Sequence, residues 1–363
     1  MNRKQVGLIV LVSAIIVGGI FYFTKGKKTA VKQIQINGTA QQTTPLNQGN
    51  VSPLSGLPCE NWNRRSFAVM QPSDVSARPA AGFSQADMVF EVPVITAVMT
   101  RLMGVYVCEN PDDIGSMRSA RHDYIALAKG LDSIFVHWGG SHYAIDKLKE
   151  GVIDDMNCNN DGGKSAAQYC YRKPQTGTMK GDDTGYAKFA QLLQGAQDFG
   201  YRMTNKFVGY PHQAEAALDQ RGKGGHLRLA YPRDFKVEYD YDRANNTYLR
   251  TWGGVADTDR NNGNRIAPKN VAVLVAASSQ LVEGEQYNNV QIGDPWYDTS
   301  DSGDATYYMN GQQIKGSWKK DKSSLDSKMF FYDADGKEIQ FVPGQIWVNV
   351  IEPGQAVEWT PAA

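Results

Sequence analysis

Two arginines three residues apart, Arg118 and Arg121, are the feature of this sequence most suggestive of chemistry. We expect a helix to begin there, capped by Ser116 or Ser119, which would place both guanidinium groups on one helix face. Basic side chains at a helix N-terminus oppose the helix dipole, whereas the free N–H groups there bind anions. The pattern therefore predicts a site for a carboxylate or phosphate, in which Ser119 is a further candidate ligand.

Two more arginines, Arg78 and Arg101, are expected to converge on the same place and to complete an arginine-rich groove. A structural interpretation competes with this one, because Asp87 and Glu91 would neutralise the arginines as ion pairs and leave no need for a ligand. The sequence leaves both interpretations open, and Glu91 is therefore kept among the candidate site residues.

A histidine, His137, falls at the end of a predicted strand, just before the two glycines and Ser141 that start the next helix. Open α/β sheets bind ligands beyond the carboxyl ends of their strands, so His137 and Ser141 are candidate ligand-binding residues. His137 would also serve as general base for Ser119 or Ser141, or pair with His142 on a metal. A structural histidine is the competing interpretation, since no third metal ligand and no known nucleophile motif accompanies it.

Two loops carry the first oxygen ligands of a calcium-binding loop. Neither has the acidic residue expected at the twelfth position, where Gln168 and Pro268 stand instead. Polar turns are therefore the favoured interpretation and calcium the alternative, so no cofactor is expected. The residues concerned are Asn157, Asn159, Asp161 and Gly162 in the first loop and Asp257, Asp259 and Asn261 in the second.

The chain contains four cysteines and no Cys-x-x-Cys spacing, which argues against a zinc ribbon or a thioredoxin-like redox motif. Cys158 and Cys170 flank a short polar loop, and we expect a disulfide between them. Cys59 and Cys108 are left as a second pair. Four unpaired, partly buried thiols are the alternative.

An uncharged apolar run, 6–23, is long enough to cross the hydrocarbon core of a bilayer. It ends in Phe-Tyr-Phe and lysines and has no cleavage-site pattern, so it predicts an uncleaved anchor, with residues 1–5 as a cytoplasmic tip. The basic residues on its two sides do not fix the orientation. We expect export of the remainder, on the basis of the resemblance described below.

The amino-acid composition restricts the classes of molecule that the protein could bind. The 363 residues include 38 basic and 38 acidic side chains, so the formal net charge is zero and nucleic-acid binding is not expected. Residues 24–52 are rich in Thr, Gln, Asn and Lys and predict a flexible linker.

Two regions with different patterns follow the linker. In residues 53–205, short apolar runs alternate with predicted helices at 119–131, 141–149 and 183–197, which indicates a sheet with helices packed on one side. Residues 206–360 contain predicted strands joined by hairpin turns such as Asn310-Gly311, which indicates an antiparallel β-meander.

Several segments together resemble the YerB-like family of bacterial lipoproteins, which is built around paired domains of unknown function. The similarity spans nearly everything after the linker and respects the order of the segments. They are 53–58 (PLSGLP), 77–91 (ARPAAGFSQADMVFE), 114–121 (IGSMRSAR), 136–141 (VHWGGS), 246–250 (NTYLR), 269–271 (KNV), 316–320 (GSWKK) and 343–347 (PGQIW).

The resemblance implies an anchored, exported α/β protein with three layers, two of sheet and one of helices. It implies no activity, because the family is defined without one. This chain departs from the family pattern in its anchor, which is a helix instead of a lipid-bearing cysteine. Two histidines expected from the pattern are Gln175 and Asp257 here, so a mechanism that uses them is not carried over.

These observations predict an α/β (α+β) ββα sandwich with a C-terminal β-meander, preceded by one transmembrane helix, with domains 53–205 and 206–360. The expected function is a binding or scaffold module of the cell envelope, whose arginine groove receives an anionic group of a wall glycan, a wall peptide or an envelope protein. The alternative is an envelope hydrolase or transferase with His137 as general base.

Overall fold

The computed structural model describes residues 49–95 and 98–363 of the chain. The predicted tip 1–5, the predicted anchor 6–23 and residues 24–48 of the predicted linker lie outside the described residues, so these three assignments stay predictions. Within the described ranges, no helix is both long and apolar enough to span a bilayer.

The described residues form twenty β-strands and three α-helices, so the chain is an α+β protein built mostly from sheet. The helices are α1 (His122–Gly130), α2 (His142–Lys149) and α3 (Phe189–Asp198). In chain order the strands are β1 (Phe67–Pro72), β2 (Met88–Ile95), β3 (Met99–Tyr106), β4 (Ile114–Gly115), β5 (Ile134–His137), β6 (Asp155–Asn157), β7 (Tyr171–Arg172), β8 (Gly185–Ala187), β9 (Gly225–Leu229), β10 (Val237–Asp242), β11 (Thr247–Trp252), β12 (Val255–Ala256), β13 (Asn270–Val275), β14 (Ser278–Gln280), β15 (Asn288–Val290), β16 (Ser302–Met309), β17 (Gln312–Lys319), β18 (Phe330–Asp333), β19 (Ile346–Ile351) and β20 (Val357–Pro361).

A ten-stranded mixed sheet in the order β18-β17-β16-β13-β19-β2-β3-β1-β5-β6 forms the centre of the molecule. Strand β19 pairs with β2 in parallel, from Ile346 opposite Met88 to Asn349 opposite Glu91. This pairing joins the regions 53–205 and 206–360, which therefore share one sheet. The central strands are near-continuous apolar runs because both of their faces are covered.

The two faces of this sheet are covered differently. Helices α1 and α2 pack on one face, where Tyr124 and Leu148 belong to a core cluster with Phe90 and Met103. A five-stranded antiparallel sheet, β12-β11-β10-β9-β20, packs on the other face together with α3. The expectation that the helices lie on one side is correct for α1 and α2 and wrong for α3, whose Phe189 packs in the second cluster.

Helix α1 begins at His122, three residues after the predicted start. The Ala120 N–H donates to the Gly139 carbonyl at 2.8 Å, and this tertiary bond holds the preceding segment extended. Arg121 occupies the N-cap position, and no side chain caps the helix. The prediction that Arg118 and Arg121 share a helix face above a serine cap is therefore wrong.

Helix α3 begins at Phe189, six residues after the predicted start at Asp183. The Asp183 carboxylate is buried, accepts a hydrogen bond from the Lys180 N–H at 3.2 Å and pairs with Arg118 at 2.6 Å. Residues 185–187 then form β8. These tertiary partners keep residues 183–187 out of the helix.

The C-terminal strands do not form one antiparallel meander. Strands β16, β17 and β18 are consecutive antiparallel neighbours, and β16 and β17 are joined by the predicted Asn310-Gly311 turn, in which both residues have positive φ. Strands β13 and β19, however, pair in parallel, and β9–β12 with β20 form the second sheet. Residues 337–342, whose apolar pattern favours a strand, make only isolated bridges.

Both expected disulfides are present, Cys59–Cys108 and Cys158–Cys170. The first closes a loop with a sequence separation of 49 and the second one with a separation of 12. The Cys59–Cys108 bridge fixes the N-terminal entry of the described chain to the end of β3.

Removing either disulfide is expected to lower the free energy of unfolding, and the loss should be larger for the disulfide that closes the longer loop. Chain entropy predicts a loss of about 4 kcal/mol for C59S/C108S and about 3 kcal/mol for C158S/C170S. Urea unfolding of the two double variants measures both losses. Equal losses, or a larger one for the shorter loop, would contradict the entropic account.

Candidate functional site

The arginines predicted to form one groove lie on opposite faces of the ten-stranded sheet. Neighbouring residues of a strand point to opposite faces, and on β3 Thr100 donates a hydrogen bond to Glu91 at 2.8 Å on the side of the five-stranded sheet. Arg101 therefore points to the helix side, beside Arg118 and Arg121. Arg78 lies on the side of the five-stranded sheet, where its guanidinium stacks on a tryptophan of β11.

Arg101, Arg118 and Arg121 form a cluster, which we call the three-arginine cluster. Arg118 pairs with Asp183 at 2.6 Å, and Asp74 lies 3.4 Å from Arg101 and 3.7 Å from Arg118. Burial lowers the pKa of Arg101 to about 10, and repulsion from Arg121 and Arg118 adds to this effect. Two of the three guanidinium groups are thus already neutralised by carboxylates.

Arg121 is the member of this cluster without a carboxylate partner. Across the described ranges no carboxylate oxygen lies within ion-pair distance of it, and it donates to the Ala120 carbonyl at 2.8 Å. Its guanidinium lies 5.5 Å from the centre of the Tyr287 ring. Burial lowers the pKa of Arg121, and nearby Tyr287 opposes that shift.

The acidic residues proposed as structural partners of the arginines have other partners. Asp87 accepts hydrogen bonds from the hydroxyls of Ser52 and Ser55, at 2.7 and 2.6 Å, and from two backbone N–H groups. Glu91 pairs with Arg250, which the sequence analysis did not select. The structural interpretation thus names wrong partners, although Asp74 and Asp183 fulfil that role for two arginines.

Arg250 is the centre of a fully buried ion-pair triad. It lies 2.7 Å from the Glu91 carboxylate and contacts the Asp257 carboxylate. Burial raises the pKa of Glu91 and of Asp257, and Arg250 opposes both shifts. Against the effect of burial, the two carboxylates raise the pKa of Arg250 above its usual value. The alternation of β11, which turns Tyr248, Arg250 and Trp252 inward, is the signal that could have revealed this residue.

A pocket of about 370 Å³ lies beside this triad, between the segment after β1 and the five-stranded sheet. Arg78 stacks on the Trp252 ring at 3.9 Å and donates to the carbonyls of Ser73 and Asp234, at 2.7 and 2.9 Å. The residues that line this Arg78 pocket include Val75, Arg78, Pro79, Asp234, Trp252, Val255 and Asp257.

The Arg78 guanidinium has unused donors. Its Nε is buried without a hydrogen-bond partner, and within the described residues no carboxylate lies within 4 Å of the group. Burial lowers the pKa of Arg78 to about 10, and Arg250 adds to the lowering. Around the pocket, the guanidinium groups of Arg78, Arg250 and Arg265 face the carboxylates of Glu91, Asp257 and Asp234, so three positive groups meet three negative ones.

His137 is buried and engaged at both ring nitrogens. Its Nδ1 lies 2.8 Å from the Gly139 carbonyl oxygen and its Nε2 lies 3.4 Å from an Asp155 carboxylate oxygen. Ser141 is the N-cap of α2, where its hydroxyl accepts from the Ala144 N–H at 3.2 Å. Ser119 is half-buried, and no hydrogen bond joins it to His137 within the described residues. Among the described residues, no serine is hydrogen-bonded to His137.

In the two loops that resemble calcium-binding loops, side-chain oxygens accept hydrogen bonds from protein groups. In the first, the Asn157 amide donates to Asp161 at 2.7 Å and its oxygen accepts from the Gly139 N–H at 2.9 Å. In the second, both oxygens of Asp259 accept from the Gly82 N–H, each at 3.0 Å. These contacts support the polar-turn interpretation, and calcium stays an untested prediction.

Comparisons with known proteins match both halves of the chain. Residues 54–202 match the family model "Protein of unknown function (DUF3048) N-terminal domain", and residues 227–348 match the corresponding C-terminal domain. The curated protein "Putative lipoprotein YerB" of Bacillus subtilis (strain 168) is 29% identical over 308 residues, which are 83% of this chain and 86% of that protein.

A solved structure gives the same assignment. The crystal structure of the YerB protein from Bacillus subtilis superposes with a TM-score of 0.71 at 26% identity and covers 85% of this chain and 99% of that one. The family resemblance seen in the sequence is thus confirmed over both halves of the chain. The chain belongs to the YerB-like family of proteins with paired DUF3048 N- and C-terminal domains.

Proposed function

We propose that this chain is an extracytoplasmic envelope protein that binds an anionic ligand in the Arg78 pocket. The observation that carries the proposal is the guanidinium of Arg78, which lines a pocket of about 370 Å³ and has no ion-pair partner among the described residues. A pocket of this size accommodates a small ligand or one end of a polymer. A guanidinium with free donors recognises carboxylate and phosphate groups.

Three observations support the location at the envelope. The relative from Bacillus subtilis is named a lipoprotein, and lipoproteins are attached to membranes. The two disulfides are typical of proteins in an oxidising compartment. The uncharged run 6–23 is long enough to cross a bilayer and is the proposed single-pass anchor.

The walls of the pocket narrow the chemistry of the ligand. Val75, Pro79 and Val255 are apolar, and the Trp252 ring supports the guanidinium from below. This arrangement suits an anionic group attached to an apolar or sugar body, as in the glycan or peptide of a cell wall or in a segment of an envelope protein. The negative charge would meet the free edge of Arg78, and the body would lie on the apolar wall.

A hydrolase or transferase with His137 as general base receives less support. A general base must reach the proton that it removes, but His137 is buried and both of its ring nitrogens contact protein groups. The experiments below therefore address the binding of an anionic ligand.

Arg78→Gln is expected to weaken binding of the full chain, held in detergent micelles, to isolated cell-wall sacculi by at least tenfold. A charge-assisted contact with the anionic group is lost, whereas the backbone contacts of residue 78 are preserved in large part. Co-sedimentation at several salt concentrations measures the loss, and the binding of the wild-type chain should weaken as salt increases.

Arg228→Gln is the matched control. Arg228 lies on the five-stranded sheet and pairs with Glu358 at 2.9 Å, so it loses the same charge away from the pocket. It should bind as the wild-type chain does. Equal binding by Arg78→Gln and the wild type, with both folded, would overturn the assignment of the pocket.

A further inference from the structure

A second group of polar side chains is buried on the other side of the ten-stranded sheet, where α1 begins. His122 and Asp123, the first two residues of α1, face Asp294 and Asn289 of the segment 288–298. All four side chains are at most 3% exposed. This group shares no residue with the Arg78 pocket.

The distances in this group are close to those of a metal coordination shell. The His122 Nε2 atom lies 2.9 Å from Asn289 Oδ1, 3.4 Å from Asp123 Oδ1 and 3.7 Å from Asp294 Oδ2. Metal–ligand bonds of about 2.1 Å place neighbouring ligand atoms about 3.0 Å apart in octahedral geometry and about 3.4 Å apart in tetrahedral geometry. The ligand atoms of His122, Asp123 and Asp294 lie within 4.8 Å of one another and Asn289 Oδ1 lies beside His122, so the four could surround one ion if the side chains move closer together.

Asp294 provides independent evidence for a missing partner. The side chain is fully buried, and its Oδ1 accepts a hydrogen bond from the Trp296 N–H. Its Oδ2 accepts no hydrogen bond within the described part of the chain, although it points toward His122. A buried carboxylate oxygen without a donor is costly, and a cation would satisfy it.

The ligand atoms are oriented by a second set of hydrogen bonds. The Asn289 amide donates to Asp298 Oδ1 at 2.8 Å, which turns Asn289 Oδ1 toward His122. Asp298 Oδ2 accepts from the N–H groups of Gly293 and Asp294, each at 2.7 Å. Outer contacts of this kind hold metal ligands in place in known metal sites.

Charge favours a cation here as well. The group contains the carboxylates of Asp123, Asp294 and Asp298. Three cations lie near the group. Arg121 acts electrostatically on His122 and Asp123, Lys320 donates to the carbonyl of Gly293 at 3.2 Å, and Lys322 donates to the carbonyl of Asp298 at 3.1 Å. Within the described residues, none of the three forms an ion pair with these carboxylates. A buried carboxylate requires compensation, and none of these cations reaches the unpartnered Oδ2 atom of Asp294.

We propose that His122, Asp123, Asp294 and Asn289 bind one divalent transition-metal ion of the Zn²⁺ or Mn²⁺ type. One imidazole and three oxygens suit these ions, whereas Ca²⁺ and Mg²⁺ prefer oxygen ligands alone. The ion would be bound by neutral His122 through Nε2, with the ring proton on Nδ1. It would fasten α1, in the N-terminal half, to the segment 288–298 in the C-terminal half.

The test uses the full, untagged chain in detergent micelles. After treatment with EDTA and incubation with Zn²⁺, Mn²⁺, Ca²⁺ or Mg²⁺, the desalted protein is analysed for metal by mass spectrometry. We expect one equivalent of Zn²⁺ or Mn²⁺, a higher thermal midpoint with metal than with EDTA, and no retained Ca²⁺ or Mg²⁺. No retained Zn²⁺ or Mn²⁺ by the folded protein would overturn the proposal.

Asp294→Asn, which keeps the shape and removes the charge, is expected to weaken metal binding at least tenfold. Asp146→Asn on the exposed face of α2 is the matched control and should bind as the wild type does. Equal binding by Asp294→Asn would overturn the assignment of these residues. If Asp294→Asn does not fold, the visible absorption of the Co²⁺-loaded wild-type chain decides. Co²⁺ held by few ligands in a closed site absorbs much more strongly than the octahedral aqueous ion, and a spectrum identical to that of aqueous Co²⁺ would overturn the proposal.

Discussion

Arg250→Met is expected to lower the free energy of unfolding by about 3–5 kcal/mol at pH 7.5, because it leaves two buried carboxylates without their cation. Arg250 is fully buried, 2.7 Å from Glu91 and in contact with Asp257. Methionine preserves most of the volume between Trp252 and Trp347, so the loss reports mainly on charge. Urea unfolding of the full chain measures it.

The loss in free energy of unfolding caused by Arg250→Met should become smaller as the pH falls from 7.5 to about 5. Burial already raises the pKa of Glu91 and of Asp257, and removal of Arg250 takes away the group that opposes both shifts. The folded variant then holds protons that its unfolded state releases, so its stability rises as the pH falls toward the carboxyl pKa of the unfolded chain.

Arg228→Met provides the control for this prediction, because Arg228 forms a partly exposed ion pair with Glu358 on the same sheet. Solvent screens pairs of this kind, so they contribute little to the free energy of unfolding. A loss for Arg250→Met as small as that of the control, or a loss that grows with falling pH, would contradict the assigned role of the triad.

Neither half of the chain is expected to fold alone, although residues 53–205 and 206–360 are the two predicted domains. Strand β2 would lose its parallel partner β19, and Glu91 would lose Arg250. A fragment ending at Leu218 would therefore expose an unpaired central strand and one face of its core. Circular dichroism and urea titration of fragments 49–218 and 219–363 should show no cooperative transition.

A nicked full-length chain is the control for the fragments. A protease site inserted after Leu218, which is 52% exposed, should be cleaved without loss of structure, since the two pieces remain paired through the ten-stranded sheet. Cooperative unfolding of the separate fragment 49–218 would contradict the role assigned to this pairing.

Local patterns in the sequence were sufficient for the elements whose cause is local. The Asn310-Gly311 turn joins β16 and β17 as predicted, because both positions have the positive φ that these residues tolerate. Ser141 caps α2 as predicted. The pairing of β2 with β19 depends instead on residues more than 250 positions apart, and no period in either strand specifies that partner.

For the candidate site too, the sequence indicated which residues to consider but not where the fold places them. Arg78 and Arg121 were predicted as anion-binding residues because they are arginines, and both lack carboxylate partners among the described residues. Their positions on opposite faces of the sheet follow from strand order, which the sequence did not reveal. The helix expected at Arg118 is displaced by a backbone bond from Ala120 to Gly139, which depends on the position of β5.

The most direct test of the proposed function observes the Nε–H groups of arginine by NMR while soluble cell-wall fragments are added to the ¹⁵N-arginine-labelled full chain. The Arg78 signal is identified by its loss in Arg78→Gln. We predict that this Nε–H signal shifts when the Arg78 guanidinium gains an anionic acceptor in the pocket, with the Arg118 and Arg121 signals unchanged. An unchanged Arg78 signal, with shifts at Arg118 or Arg121 instead, would contradict the assignment of the Arg78 pocket.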